Sequence, residues 1–409
     1  MELYKRENYL KRIRGFYDAD DIIKVITGVR RCGKSSLMET IAAEIVESGV
    51  PESNIIYIDL DKRGFKNIRT ADDLERIIDD RADAEGTKYL FVDEIQNVAG
   101  FEEVLNGYRT DRGWSIFITG SNSYLLSGEL TTKLTGRYLE FEMFPLTFDE
   151  YEDMKRFYGK QIAPDINTEL NNYILESGFP RTIFLDDFTD KRRYVHGVID
   201  EIFEKDIRRR IKIRNKETFE ILRRYMINNF GATTSINNIC NTLNNNNLNI
   251  GKSTVSRYIQ SLVDAKILYA CDRFDMKSRR TLSGEKKYYI SDLGFYYATN
   301  TDNRINYGLV LENMIFTYAR AHDCSVSVGR IGNLECDFII RNRDLDYSYV
   351  QVAYTILSDI TTENREYKPL EKIRDNYPKY VMTTDTLLQK RNGIKHVNIV
   401  RFMLEGCEF

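Results

Sequence analysis

Cysteine, histidine and proline are scarce in this sequence, and each scarcity removes a class of explanation. The six cysteines, at positions 32, 240, 271, 324, 336 and 407, are far apart and form no C-x-x-C pair, so neither a disulfide framework nor a zinc site is expected. Three histidines, at 196, 322 and 396, leave no dense cluster for a transition metal. Six prolines in 409 residues interrupt few elements, which predicts long, continuous helices and strands. No apolar run approaches the roughly 20 residues of a membrane span. The opening MELYKRENYL lacks the apolar stretch of a signal peptide. Cytoplasmic residence without membrane contact is the expectation. Nor does one charge dominate: 59 basic against 62 acidic side chains exclude a globally basic nucleic-acid binder and leave only local patches to consider.

What is present is the composition of a globular protein, 42% hydrophobic and 30% charged. At roughly 100–200 residues per domain the length predicts several domains. Apolar runs at 22–28 (IIKVITG), 54–60 (NIIYIDL), 88–94 (KYLFVDE) and 114–121 (WSIFITGS) alternate with helical patterns at 35–49 and 71–83. That alternation predicts an α/β fold with a parallel sheet covered on both faces over residues 1–150. Residues 151–230 read as a helical region. Residues 231–300 read as helix (235–243), asparagine-rich link, helix (252–268) and two strands, the order of a winged helix. Residues 301–409 read as a mixed α/β domain that opens with a helix and ends in a strand over HVNIVRFML.

The sharpest motif is Gly28-Val29-Arg30-Arg31-Cys32-Gly33-Lys34-Ser35, which fits G-x-x-x-x-G-K-[ST] and lies between a strand and a helix. Two glycines let the backbone curl so that successive N–H groups face a phosphate at the positive end of the helix. Gly28, Arg30, Arg31, Cys32, Gly33, Lys34, Ser35 and Ser36 are therefore the candidate ATP contacts. Lys34 would reach the β and γ oxygens, and the Ser35 hydroxyl would ligand magnesium. The strand at 88–94 ends in Asp93 and Glu94. Asp93 would hold the magnesium through water, and Glu94 would orient or deprotonate the attacking water. Ser121 or Asn122, after the fourth strand, could sense the γ-phosphate. Arg137 lies beyond, where an arginine offered across a subunit boundary would stabilise transition-state charge; a surface arginine at a domain junction is the other reading.

These residues carry a family resemblance. YKRENYL at 4–10, the phosphate loop, Val92-Asp93-Glu94-Ile95-Gln96, Thr119-Gly120-Ser121-Asn122, Gly136-Arg137-Tyr138 and Gly178-Phe179-Pro180 together resemble a large prokaryotic family of AAA-type P-loop ATPases. The resemblance covers nearly the whole chain, because that family often carries a C-terminal domain similar to PD-(D/E)XK nucleases. It implies ATP binding, with hydrolysis to ADP and phosphate expected.

Two further regions carry chemistry. IRRRIKIRNK at 207–216 has six basic residues and no acid, and the segment from Lys252 to Lys287 has nine basic residues against four acidic ones. Lys252, Ser253, Thr254, Ser256 and Arg257 would face the major groove of double-stranded DNA, with Lys277, Arg279 and Arg280 on the wing. Winged helices also serve as protein-interaction modules. In the last domain Glu312, Asp337 and Gln351 resemble the E…D…(E/Q)xK arrangement that holds magnesium in nucleases, with Glu335 read as an outward neighbour. The lysine is missing, since Ala353 stands in its place. Lys368 could substitute, but cleavage is not expected. The leading expectation is a P-loop ATPase that couples nucleotide state to a DNA-binding module, with a homo-oligomer as an option. The alternative is an ATP-controlled assembly or protein-interaction switch without DNA.

Overall fold

The computed structural model describes residues 2–120, 134–245, 248–300 and 304–409. They divide into two compact units, Met1–Phe144 and Pro145–Phe409.

The first unit is built on five strands: β1 (Ile23–Gly28), β2 (Ile55–Asp59), β3 (Lys88–Asp93), β4 (Trp114–Gly120) and β5 (Tyr138–Met143). All pair in parallel, in the order β2–β3–β4–β1–β5. Every residue of β1 and β4 is buried, which is why both read as unbroken apolar runs. One face packs Val25, Ile58, Val92 and Ile116 against Leu74 and Ile78 of the helix Ala71–Asp79 and Leu105 of the helix Phe101–Asp111. Elsewhere in the sheet Tyr57, Phe91 and Phe117 stack at 5.8 and 4.7 Å. The strand β5, the helix Phe101–Asp111 and the N-terminal helix Glu7–Ile13 are additions to the elements expected from sequence.

The second unit begins with helices Phe148–Phe157, Ile166–Glu176, Phe188–Ile202 and Lys216–Asn228. There follow β6 (Thr233–Ser235), helices Ile236–Asn245 and Lys252–Asp264, β7 (Leu268–Asp275) and β8 (Arg280–Ile290). After the helix Tyr307–Ala321 come β9 (Ser325–Ile331), β10 (Leu334–Arg341) and β11 (Tyr347–Val352). The helix Ile360–Glu371 precedes β12 (Lys379–Thr383), β13 (Lys390–Arg391) and β14 (Ile394–Asn398). Among the described residues these strands form one mixed sheet, β13–β14–β12–β11–β10–β9–β7–β8–β6. The hairpin β7–β8 joins the C-terminal strands through a short parallel pairing of Arg273–Asp275 with Val328–Arg330.

The sequence predicts a single final strand over HVNIVRFML, and the structure corrects this. β14 stops at Asn398, whose side chain accepts the Arg401 N–H at 3.0 Å and caps a helix, Ile399–Leu404. A capping asparagine outweighs the β-branched run around it.

The Gly178-Phe179-Pro180 segment is held by a buried acid. Asp292 accepts the N–H of Gly178 at 2.7 Å and of Gly294 at 2.8 Å. A Cβ at Gly178 would lie 2.5 Å from the Leu146 carbonyl oxygen, so only glycine fits there. Burial pushes the Asp292 carboxyl up to about 6 against the pull of the Ser177 side chain and these two N–H donors.

Candidate nucleotide site

Parallel α/β sheets open their sites beyond the carboxyl ends of the strands. Here β1 ends in the phosphate loop, β3 in Asp93 and Glu94, and β4 in Thr119 and Gly120. Because β4 lies between β1 and β3, the acidic strand faces the loop across one intervening strand.

The loop is fixed by its own backbone. Gly28 has φ of 151°, and a Cβ there would lie 2.2 Å from the Met143 carbonyl oxygen. The Cys32 N–H closes a turn on the Val29 carbonyl at 3.2 Å, and the Leu37 N–H bonds that of Gly33 at 3.0 Å as the helix Lys34–Glu47 begins. The buried Lys34 Nζ donates to the Gly28 and Val29 carbonyls at 3.1 and 3.4 Å, so its charge stays inside the loop. Arg31, Ser35 and Ser36 are exposed, whereas Cys32 is buried.

Sequence reasoning misses two supports. Arg6 is buried and donates to the carbonyls of Cys32 at 3.2 Å and Phe144 at 2.8 Å, which clamps the loop from behind. This gives the YKRENYL segment a physical role. The second is Thr119, whose hydroxyl donates to Asp93 Oδ1 and accepts the Glu94 backbone N–H at 2.9 Å. It fixes the turn in which Glu94 adopts left-handed backbone angles, φ 57° and ψ 45°. Only the sheet order, which sets β4 beside β3, could have signalled it.

Glu94 is buried, and this raises its carboxyl pKa; Lys34 and Arg30 oppose the shift. Arg30 Nη2 lies 3.9 Å from Glu94 Oε2, and the Gln96 amide donates to the same oxygen. Arg137 is elsewhere. It precedes β5, beside the start of β1, where its carbonyl accepts the Ile23 N–H and its guanidinium donates to Asn106 at 3.1 Å. The register pairs Tyr138 with Ile23 and Met143 with Gly28. At about 3.3 Å per residue, Arg137 is therefore roughly 17 Å from the loop of its own chain, at the opposite edge of the sheet. Ser121 and Asn122 lie outside the described residues.

A family model described as an AAA domain matches residues 20–152, and one described as a domain of unknown function matches 167–304. An uncharacterized protein of Haemophilus influenzae is 31% identical over 406 residues, covering 98% of this chain and 99% of that protein. The uncharacterized protein MJ1544 of Methanocaldococcus jannaschii is 31% identical over 383 residues, covering 91% and 83%. The chain belongs to the family of these two proteins. Its residues 20–152 are an AAA domain. The solved Walker-type ATPase paby2304 of Pyrococcus abyssi aligns at a TM-score of 0.50 and 18% identity, over 73% of this chain and 95% of that one. The two share a fold.

Outside the AAA domain, the helix Lys252–Asp264 buries Val255, Tyr258, Ile259 and Leu262 and exposes Lys252, Ser253, Ser256 and Arg257. Lys277, Arg279 and Arg280 are exposed around the β7–β8 turn. None of these five cations has an ion-pair partner among the described residues.

Glu312, Asp337 and Gln351 are all buried. A cation from β8 lies among them: Lys287 Nζ contacts Glu312 at 2.8 Å and Glu335 at 3.0 Å. Burial alone would lower the Lys287 pKa, but Glu312, Asp337 and Glu335 raise it. Asp337 Oδ2 accepts the Val352 N–H at 2.8 Å, and burial, reinforced by Glu312, pushes its carboxyl well up. Glu335 is thus a member of the cluster and not an outward bystander; its other oxygen takes Arg273 at 3.1 Å. Lys368 is exposed. Gln351 Oε1 is buried without a hydrogen-bond partner among the described residues. Among the described residues no three His, Cys, Asp or Glu side chains are arranged to hold a metal ion. No helix among them is long and apolar enough to cross a membrane.

Proposed function

We propose that this protein is an ATP hydrolase of the AAA type whose nucleotide state acts on a double-stranded DNA contact within residues 231–300. The observation that carries the reading is the convergence of Lys34, Asp93, Glu94 and Thr119 at the carboxyl edge of one parallel sheet. Lys34 balances phosphate charge from inside the loop, and the loop N–H groups receive the phosphate oxygens. Glu94, with its proton affinity raised by burial, accepts the proton of the attacking water. Ser35 and Asp93 are the residues that would hold magnesium. Asp93 fits the role because it is buried, Thr119 occupies its Oδ1, and its Oδ2 has no hydrogen-bond partner among the described residues. When bound, the ion supplies charge neutralisation for the phosphates. Arg137, at the far edge of the sheet, would serve the site of a neighbouring copy and not its own, which ties hydrolysis to self-association.

The DNA contact is supported by helix, strand, two helices and hairpin in winged-helix order and by the exposed cations Lys252, Arg257, Lys277, Arg279 and Arg280, which have no ion-pair partner among the described residues. With Ser253 at the start of the second helix, they combine short donors and long cations where such folds enter a groove. The C-terminal domain is read as nuclease-like in origin and without cleavage, since Lys287 already neutralises the acids a metal would need.

The test is a pair of variants. Lys34→Ala should lose measurable ATP binding by calorimetry, whereas Glu94→Gln should bind ATP normally with turnover lowered about 10²- to 10⁴-fold. Unimpaired ATP binding by the first sinks the site, and normal turnover by the second sinks the base assignment. For the DNA arm, duplex affinity should fall steeply with salt and drop in Arg257→Ala.

A further inference from the structure

The second unit contains an open cleft of about 980 Å³ that plays no part in the nucleotide site or the acid cluster. It is lined by the β7–β8 turn with Lys277 and Arg279, and by the end of the helix Ile360–Glu371 and the segment after it, with Lys372 and Arg374. Tyr347 and Tyr377 also line it, 36% and 40% exposed, with ring centroids 5.3 Å apart and planes at 69°.

The walls are pre-set. The Met276 N–H donates to the Arg330 carbonyl at 3.0 Å, and Asp275 accepts the Lys277 N–H at 3.0 Å, so the turn is tied to β9. The charges are uneven. Two acids line the cleft, and both are already engaged by the protein. Glu371 takes Arg391 at 2.9 Å, while Asp375 takes the Lys379 ammonium at 3.3 Å and the Tyr349 hydroxyl at 2.6 Å. The four cations Lys277, Arg279, Lys372 and Arg374 have no ion-pair partner among the described residues.

Cations without ion-pair partners among the described residues, beside two partly exposed aromatic rings, match the two halves of a single-stranded nucleic acid, a phosphate chain and unstacked bases. A duplex keeps its bases inside and offers no faces to Tyr347 and Tyr377. An acidic peptide would use the cations and leave the rings unexplained. We propose that this cleft binds single-stranded nucleic acid, with bases on Tyr347 and Tyr377 and phosphates on Lys277, Arg279, Lys372 and Arg374. This deepens the nucleic-acid reading above and rests on it, but residues outside the helix Lys252–Asp264 carry it.

The experiment is fluorescence anisotropy of the full chain with labelled (dT)12 and, separately, a 20-base-pair duplex. Tyr347→Ala and Tyr377→Ala should each weaken (dT)12 binding about tenfold, and Tyr377→Trp should restore it, which a merely misfolded variant would not allow. Lys372→Ala with Arg374→Ala should flatten the slope of log affinity against log salt by about 1.4. Duplex binding should be unchanged in all of these. Binding of duplex without (dT)12 overturns this inference and spares the DNA reading; binding of neither overturns both. Unchanged (dT)12 binding in the tyrosine variants overturns it too, as does displacement by polyglutamate at the same concentration as unlabelled (dT)12.

Discussion

Each unit buries a lysine among carboxylates, and the two clusters end in opposite states. In the AAA domain Lys34 bonds only to backbone carbonyls, and Asp93 keeps one oxygen without a partner among the described residues. In the second unit Lys287 closes directly on Glu312 and Glu335, and Tyr289 adds its hydroxyl to Glu312. Buried charges cost several kcal/mol each unless they are paired. The second cluster pairs its charges internally, whereas the first leaves them against the backbone, the arrangement that the proposed phosphate contact uses. Residue type does not distinguish the two, since both contain a lysine, an aspartate and a glutamate. The distinction lies in which partners the backbone brings within 3 Å.

The largest effect should come from breaking the closed cluster. Lys287→Met leaves Glu312 and Asp337 buried without a cation, and removing one partner of a buried pair costs about 3–5 kcal/mol. The second unit should melt well below wild type, while ATP affinity at the first unit should not change. A mild change in melting temperature, or the appearance of metal-dependent plasmid nicking, would remove the contrast between the clusters.

The first unit is largely legible in the sequence, because fully buried parallel strands read as continuous runs and the phosphate loop has a local signature. β5 is not legible. It lies at the edge of the sheet and is only partly buried, so YLEFEM carries no clean run. Lys34, Asp93 and Glu94 can be found from spacing, but Thr119 and Arg6 act through chain segments that only the folded sheet brings together. The same holds for Lys287, whose acids arrive from a later helix and strand, and for Arg137, whose edge of the sheet depends on an unforeseen parallel pairing.

Asp292 sharpens the comparison as a third arrangement, a buried acid held by the Ser177 side chain and two backbone N–H donors, with no cation beside it among the described residues. Its carboxyl is pushed up from 3.8 to about 6, so the folded state binds the proton more tightly than the unfolded chain does. Its contribution to stability is therefore complete below about pH 4 and is lost as pH rises through 6, a span of about 3 kcal/mol. The stability of wild type relative to Asp292→Asn, measured by urea unfolding, should fall across pH 4–6 and level off above 7. A constant difference would mean that the carboxyl titrates as an exposed one does.

The smallest effect concerns the open cluster itself. Arg30 lies 3.9 Å from Glu94 and lowers a carboxyl pKa that burial raises. In Arg30→Ala that opposition is gone, so the Glu94 pKa must rise further, and the acid limb of the ATP turnover profile should move to higher pH. An arginine that only contacted nucleotide would change the ATP concentration needed for half-maximal rate and leave the limb where it was. The two roles thus separate cleanly in one series of rate measurements between pH 5 and 9. An unmoved limb would mean that Arg30 does not act on Glu94, and the open cluster would lose the cation that tunes it.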